Sequence, residues 1–175
     1  MISLGGNCAI AYHNSNTIRY PFDWCKCSVY QLNNVLMNNF KDFENVTIVK
    51  FSKKHLSMDN KPTYIIKNKY NITFAHELYD NDINDFKNKL KRRIVRFKKL
   101  KDNTFIRLEI ESKSLEYFIT QYKILYNILK SKKLIVIIHK KYAIISKYIP
   151  EIKFIFFENY SSDWKYNNIL WDNIL

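Results

Sequence analysis

The chain has 175 residues, of which 47% are hydrophobic and 16% aromatic, so it can bury a sizeable core and is not expected to be disordered. Its net charge of +13 favours association with nucleic acid, anionic lipid or acidic substrates but specifies no chemistry. Three cysteines do not make a disulfide framework, and no apolar run is long enough to span a membrane. With no signal-peptide pattern at the N-terminus, we expect a cytoplasmic protein in a reducing compartment.

The first half of the chain predicts short strands and two helices. Residues 2–4 form a brief strand candidate that ends at two glycines, and a helix begins at residue 9. Apolar residues at helical spacing predict a second helix over residues 28–40, with Ser28 as its N-cap. Further strands are predicted from runs of β-branched or aromatic residues at 46–51, 63–66 and 72–74.

The second half alternates between helices and strands. Helices are predicted at 82–101, at 113–130, before Pro150 and at 164–175, with strands at 104–110, 134–138 and 153–157. This alternation favours a parallel sheet with helices on both faces. We therefore expect an α/β fold in which residues 1–175 form a single domain, a Rossmann-like three-layer sandwich with a mostly parallel sheet.

The two glycines of the chain, Gly5 and Gly6, directly precede Asn7 and Cys8. Glycine permits tight turns and close backbone approach, so a strand–turn–helix junction here would present Cys8 near a helix N-terminus. Unpaired amides and the helix dipole favour a thiolate at that position, and the amides near Gly6 and Asn7 could hold an oxyanion. Two other interpretations stay open: an ordinary turn beside a buried cysteine, and a phosphate cradle.

Four segments together resemble a family of unknown function described as papain-like cysteine peptidases. They are SLGGNC at residues 3–8, PFDW at 21–24, FAHE at 74–77 and RRIVRF at 92–97. The PFDW block is the most specific of them. The family pattern more often has Asp after the histidine, so Glu77 is a departure from it.

The resemblance implies a Cys–His hydrolase, with members in cells and in large DNA viruses; for a viral member the compartment would be the host cytoplasm. It also implies a papain-like α+β fold, in which a helix carrying the cysteine packs against an antiparallel sheet. That alternative differs from the mostly parallel sheet that the periodicity predicts. In a Rossmann-like fold, Cys8 would lie at the carboxyl end of the sheet, where such folds bind ligands.

A nucleophilic thiol needs a base within hydrogen-bond reach and a group that orients the base. His76, which ends an apolar run and carries the resemblance, is the leading candidate, and His139 at the end of another strand is its rival. Asp23 or Glu77 would be the orienting group. The two remaining histidines point elsewhere: His13 is on a different helix face from Cys8, and His55 is expected to be solvated in a lysine-rich loop.

Other charged and thiol-rich segments suggest less specific roles. The thiols of Cys25 and Cys27 are separated by one residue, which is too close for common zinc or redox motifs, so we predict no metal and no cofactor. The basic run around Arg92, Arg93 and Arg96 is a candidate anion-binding surface.

The sequence therefore predicts a cysteine-dependent hydrolase of peptide-like or other acyl substrates that does not span a membrane. Its catalytic residues would be Cys8 and His76 with Asp23 or Glu77. The alternative is a non-catalytic module that binds phosphate groups or nucleic acid without sequence preference through the basic helix.

Overall fold

Two four-stranded sheets organise the chain, which the computed structural model describes at residues 1–14, 18–57, 60–130 and 133–175. The strands are β1 (Ile2–Ser3), β2 (Cys25–Lys26), β3 (Val46–Leu56), β4 (Pro62–Asn68), β5 (Thr73–Phe74), β6 (Phe105–Leu108), β7 (Leu134–His139) and β8 (Lys153–Phe157). The helices are α1 (Ala9–His13), α2 (Val29–Met37), α3 (Ile83–Lys98), α4 (Leu115–Leu129) and α5 (Ile145–Tyr148), with 3-10 turns at Lys140–Tyr142 and Trp171–Asn173.

One sheet is parallel and has the strand order β1-β6-β7-β8. Phe105 of β6 lies opposite both Ile2 of β1 and Leu134 of β7, which sets the register across three strands. The alternation of helix and strand after residue 82 predicted this sheet, and the prediction is confirmed. Helices supply the long crossovers that parallel neighbours require.

The other sheet is antiparallel, with the order β2-β5-β4-β3. The expectation of one mostly parallel sheet is therefore wrong for the first half of the chain. Residues 57–61 and 69–72 are connections too short for a parallel crossover, so β3, β4 and β5 must pair as an antiparallel meander. The α/β class holds, and the antiparallel sheet is the feature that the papain-like alternative implied.

Side-chain caps fix where the predicted helices begin. Ser28 and Gln31 form a reciprocal capping box at the start of α2, and Asp82 and Ser114 accept backbone hydrogen bonds at the starts of α3 and α4. The predicted closing helix over residues 164–175 is wrong, since only the short turn at Trp171–Asn173 is helical. Tyr166 adopts a left-handed φ of 52°, which interrupts any helix there.

The hydrophobic core draws on both sheets. One buried cluster includes Leu4 after β1, Ile66 and Phe74 of the antiparallel sheet, and Val136 of the parallel sheet. A second cluster packs α1 against β6 and β7 and is covered by Tyr166, Ile169 and Trp171 of the C-terminal segment, which we define as residues 158–175. None of the helices in the described ranges is both long and apolar enough to cross a membrane.

A fully buried arginine joins the ends of strands from both sheets. The Arg107 guanidinium donates to the carboxylate of Glu109 at 3.0 and 3.1 Å, to the carbonyl of Leu4 at 3.1 Å and to the carbonyl of Cys27 at 2.8 Å. The Tyr122 hydroxyl donates to the same carboxylate at 2.9 Å. A buried charge is tolerated only when it is paired and hydrogen-bonded, and Arg107 meets both conditions.

Candidate active site

A cavity of about 830 Å³ brings the two leading candidates together. Cys8 reaches it from the turn after β1 of the parallel sheet, and His76 from the end of β5 in the antiparallel sheet. Trp24 also lines the cavity, together with Trp164 of the C-terminal segment. The site therefore lies where elements from both sheets and the C-terminal segment meet.

The glycine pair shapes the turn that delivers Cys8. Gly5 and Gly6 have φ values of 72° and 92°, in the left-handed region that favours glycine. A Cβ on Gly6 would lie 2.0 Å from the Leu108 carbonyl oxygen, and one on Gly5 would lie 2.7 Å from the Cys27 sulfur. Both positions thus require glycine for close packing as well as for conformation.

The amides of this turn already have partners within the protein. The Gly5 N–H donates to the Ser3 hydroxyl at 3.2 Å, and the Gly6 N–H donates to the sulfur of Cys27. The Asn7 side-chain oxygen accepts from the Ala9 N–H at 2.8 Å and so occupies the start of α1. The oxyanion donor expected from the Gly6 amide is therefore directed at Cys27 instead.

The surroundings of Cys8 oppose the thiolate that the sequence suggested. Burial, together with the negative charges of Glu77, Cys27 and Asp23, raises the pKa of the Cys8 thiol to about 12. The following helix α1 has only five residues, which limits its dipole. Cys8 is consequently a neutral thiol at rest, and its activation requires a base that removes the proton as the sulfur attacks.

The electrostatics favour a thiolate at another cysteine, Cys27, for which the sequence suggested no functional role. Cys27 is buried, and its pKa is lowered by a hydrogen bond from Cys25, by the positive charge of Arg107 and by the Gly6 N–H. Cys25 is also buried. Cys8 alone of the three cysteines is part of the cavity lining.

His76 is held by a backbone carbonyl and two indole rings. Its Nδ1 donates to the Leu56 carbonyl at 2.8 Å, and because a carbonyl only accepts, the proton is fixed on Nδ1. In the neutral ring Nε2 then has no proton, and it is the atom that a general base uses. The ring stacks on Trp164 with centroids 5.2 Å apart and packs edgewise against Trp24 at 6.1 Å.

The two carboxylates predicted to orient the base have other partners. Asp23 is 5% exposed, accepts a 2.7 Å bond from the Tyr20 N–H and has a pKa raised by burial to about 6. Glu77 forms a two-pronged ion pair with Arg93 of α3, one of whose contacts is 2.8 Å long. In the structure, the orienting contact to His76 comes from the Leu56 carbonyl rather than from either acid.

The other histidines occupy distinct environments. His139 stacks on Tyr160 at 4.7 Å and accepts from the Lys141 N–H at 3.1 Å, outside the cavity lining. His13 bonds to the Lys165 carbonyl at 2.9 Å and stacks on Trp171 at 4.8 Å.

His55 was expected to be solvated in a loop, and that interpretation is wrong. It lies on β3, lines the cavity and has its ring centroid 5.9 Å from that of His76. Its pKa is lowered by burial, by the neighbouring His76 side chain and by the positive charge of Lys50. Past Phe51 the strand reads SKKHL, which has no apolar alternation, so no local pattern placed His55 on the strand.

The candidate anion-binding arginines are not equivalent. The Arg93 guanidinium is buried and committed to Glu77, and Arg96 donates to the Arg19 carbonyl at 3.2 Å. Arg92 is exposed on α3. Within the described parts of the chain, no group of three or more His, Cys, Asp or Glu side chains is placed to hold a metal ion.

Comparison with known proteins agrees with the resemblance seen in the sequence. The model of the family described as "Putative papain-like cysteine peptidase (DUF1796)" matches residues 1–141. Comparisons with curated proteins and with solved structures give no significant match. The matched range contains Cys8 and His76, whereas Trp164 and Lys165 of the cavity lie beyond it. The chain belongs to this family.

Proposed function

We propose that the protein is a thiol-dependent acyl hydrolase in which Cys8 is the nucleophile and His76 the general base and acid. The observation that carries the proposal is that both residues line one cavity while the Leu56 carbonyl fixes the proton of His76 on Nδ1. The family description supports a peptidase-like reaction. Peptide or other acyl compounds are therefore the proposed substrates.

The reaction follows from the protonation states at rest. Nε2 of His76 takes the proton from the neutral Cys8 thiol as the sulfur attacks the substrate carbonyl, which gives a tetrahedral intermediate. His76 returns this proton to the leaving amine or alkoxide, and the C–N or C–O bond breaks to leave a thioester on Cys8. Water then loses a proton to His76 and attacks the thioester. The C–S bond breaks to release the acid, and His76 returns the proton to the departing sulfur, which restores the thiol.

The oxyanion formed in both steps needs donors beside Cys8. Since the amides of Gly5, Gly6 and Ala9 are engaged within the protein, we assign this role to the Cys8 amide and the Asn7 side-chain NH₂. A donor of this kind is worth about 3 kcal/mol in the transition state. Asp23 and Glu77 contribute indirectly, because they set the charge around the thiol and the packing beneath the cavity.

Hydrolysis of fluorogenic peptide amides and p-nitrophenyl esters tests the proposal. We expect Cys8→Ala to abolish turnover and His76→Ala to reduce kcat by about a hundredfold or more. His139→Gln is the matched control, because this histidine also ends a strand but lies outside the cavity lining; it should change kcat by less than about twofold. Turnover that survives Cys8→Ala would overturn the assignment.

A further inference from the structure

Three lysines line the cavity around Cys8, each from a different part of the fold. Lys26 belongs to β2, Lys54 to β3 and Lys165 to the C-terminal segment. Lys165 is positioned by the ring of Tyr12, over which its ammonium lies at 4.6 Å. Three separate parts of the fold therefore contribute positive charge to the cavity wall.

These lysines form no ion pair in the described parts of the chain. The ion pairs found there involve other cations, and the described residues that line the cavity include no carboxylate. Glu111 lies close enough to Lys26 for the lysine to stabilise its carboxylate, whereas Asp23 and Glu77 are bound to the Tyr20 N–H and to Arg93. The charges of Lys54 and Lys165, and that of Lys26 in part, are thus left for a ligand to neutralise.

We propose that the enzyme acts on acyl substrates that carry carboxylates next to the scissile bond, as in a peptide with flanking Asp or Glu residues. This inference rests on the proposed function, since it names the substrate class of the same site. A cleft walled by charge of one sign concentrates ligands of the opposite sign. Lysines at three separate positions suit carboxylates on successive residues of a chain.

The presence of lysine rather than arginine in the cavity lining favours a carboxylate ligand over a nucleic acid. Arginine is the preferred residue for phosphate and nucleic-acid recognition, because its planar fork binds phosphate in two places. The described cavity lining contains lysine but no arginine, and the buried guanidiniums of Arg93 and Arg107 are committed to Glu77 and Glu109. Trp24 and Trp164 provide the apolar surface on which the rest of an acidic peptide can pack.

The first experiment measures the charge at Cys8 without requiring turnover. The thiolate displaces iodide from anionic iodoacetate or from neutral iodoacetamide, and the ratio of the two rates is compared with that of N-acetylcysteine at mildly alkaline pH. Cys25 and Cys27 are buried, and a Cys8→Ala protein supplies the background. Asp23, Glu77 and Cys27 place negative charge near the same sulfur, so the contribution of the three lysines is measured as the change in this ratio when they are neutralised.

The variant K26Q/K54Q/K165Q should lower this ratio by about tenfold at low salt. The matched control K91Q/K99Q/K123Q removes the same total charge from exposed positions outside the cavity and should leave the ratio unchanged. An unchanged ratio in the first variant, or equal losses in both, overturns the proposal.

The second experiment compares kcat/KM for peptides with Glu, Gln or Lys beside the scissile bond. We expect the order Glu, then Gln, then Lys, with the preference lost in K26Q/K54Q/K165Q. Equal rates for all three peptides overturn the acidic-substrate proposal and leave the hydrolase standing. An alkylation ratio that is higher in the parent protein than in K26Q/K54Q/K165Q, without any hydrolysis, retains the anion-binding site and rejects the proposed function.

A third experiment tests nucleic acid as the competing ligand. A single-stranded RNA oligomer and an oligoglutamate peptide of equal charge are compared for protection of Cys8 from iodoacetamide. We expect the peptide to protect at the lower concentration. Better protection by RNA would make the cavity a nucleic-acid site and overturn the proposal.

Discussion

The indole ring of Trp164 stacks on the imidazole of His76, with ring centroids 5.2 Å apart and an angle of 26° between the planes. The same indole meets Tyr12 edgewise at 5.4 Å. The hydrogen bond from His76 to the Leu56 carbonyl fixes one edge of the imidazole, and the stack fixes one face. Trp164, which lies outside the family-matched residues, is thereby a positioning residue for the proposed base.

Replacing Trp164 should lower kcat more than it changes KM. We expect Trp164→Ala to reduce kcat about tenfold, because a base held by one edge spends less time in a reactive orientation. Trp164→Phe keeps an aromatic face and should recover kcat to within about threefold of the parent. The measurement is steady-state hydrolysis of one peptide by each variant.

Tyr160→Ala is the control for this prediction, since it removes an equivalent stack from His139 at 4.7 Å away from the cavity lining. It should leave kcat unchanged. A Trp164→Phe protein as slow as Trp164→Ala would show that Trp164 does not act through the orientation of His76.

The reactivity of Cys8 should rise with pH without a plateau in the neutral range. Burial and nearby negative charge raise the pKa of Cys8 to about 12, so the thiolate fraction grows about tenfold per pH unit below that value. Alkylation by iodoacetamide between about pH 7 and about pH 10 measures it. A rate that levels off near neutrality would instead reveal a preformed thiolate–imidazolium pair.

Asp23 should make the fold less stable as the pH rises. Burial raises its pKa from 3.8 to about 6, so the folded state binds a proton more tightly than the unfolded state between these values. Stability is therefore lost as pH increases through that window. At about 1.4 kcal/mol per pKa unit, the loss by neutral pH is about 3 kcal/mol.

Asp23→Asn tests this linkage, because an amide oxygen can still accept from the Tyr20 N–H but carries no charge. We expect the variant to match the parent below about pH 4 and to exceed its free energy of unfolding at neutral pH by about 1–3 kcal/mol. Denaturant titrations at several pH values measure the difference. A pH dependence identical in both proteins contradicts the assigned pKa.

Gly6→Ala should destabilise the protein by about 3 kcal/mol or more, through both the left-handed backbone and the overlap with the Leu108 carbonyl. The added Cβ would lie 2.0 Å from that oxygen, which is too close for any side-chain relaxation to relieve. Urea unfolding provides the measurement. An unchanged midpoint would mean that the turn and β6 separate more easily than their packing indicates.

Much of the fold followed from local sequence patterns. The apolar run at 134–138 and the stripe that includes Phe86 and Leu90 each specify one element, and the structure has both. The antiparallel pairing of β3, β4 and β5 depended on connection lengths rather than on periodicity. The closing helix failed because Tyr166 and Trp171 bury their rings against α1 and β6, a tertiary preference that a single-segment pattern does not contain.

The sequence singled out two residues that share a cavity, but it did not predict the electrostatics around them. Motif spacing pointed to Cys8 and His76, and both line one cavity. Asp23 accepts from the N–H of Tyr20 in the same turn, and Glu77 pairs with Arg93 of α3; the identities of the two acids alone do not specify either partner. The contribution of Leu56 is a backbone carbonyl, which leaves no signature in side-chain identity.

Arg107 helps to fix the positions of the Cys8 thiol and the His76 imidazole relative to each other. Its guanidinium binds the carbonyl just before the turn to Cys8 and the carbonyl just after β2, the strand that pairs with the one leading to His76. The two sheets therefore cannot shift relative to each other without breaking hydrogen bonds of the buried Arg107 guanidinium, which has no water to replace them. The alignment of Cys8 and His76 therefore depends on a buried residue that does not contact the substrate.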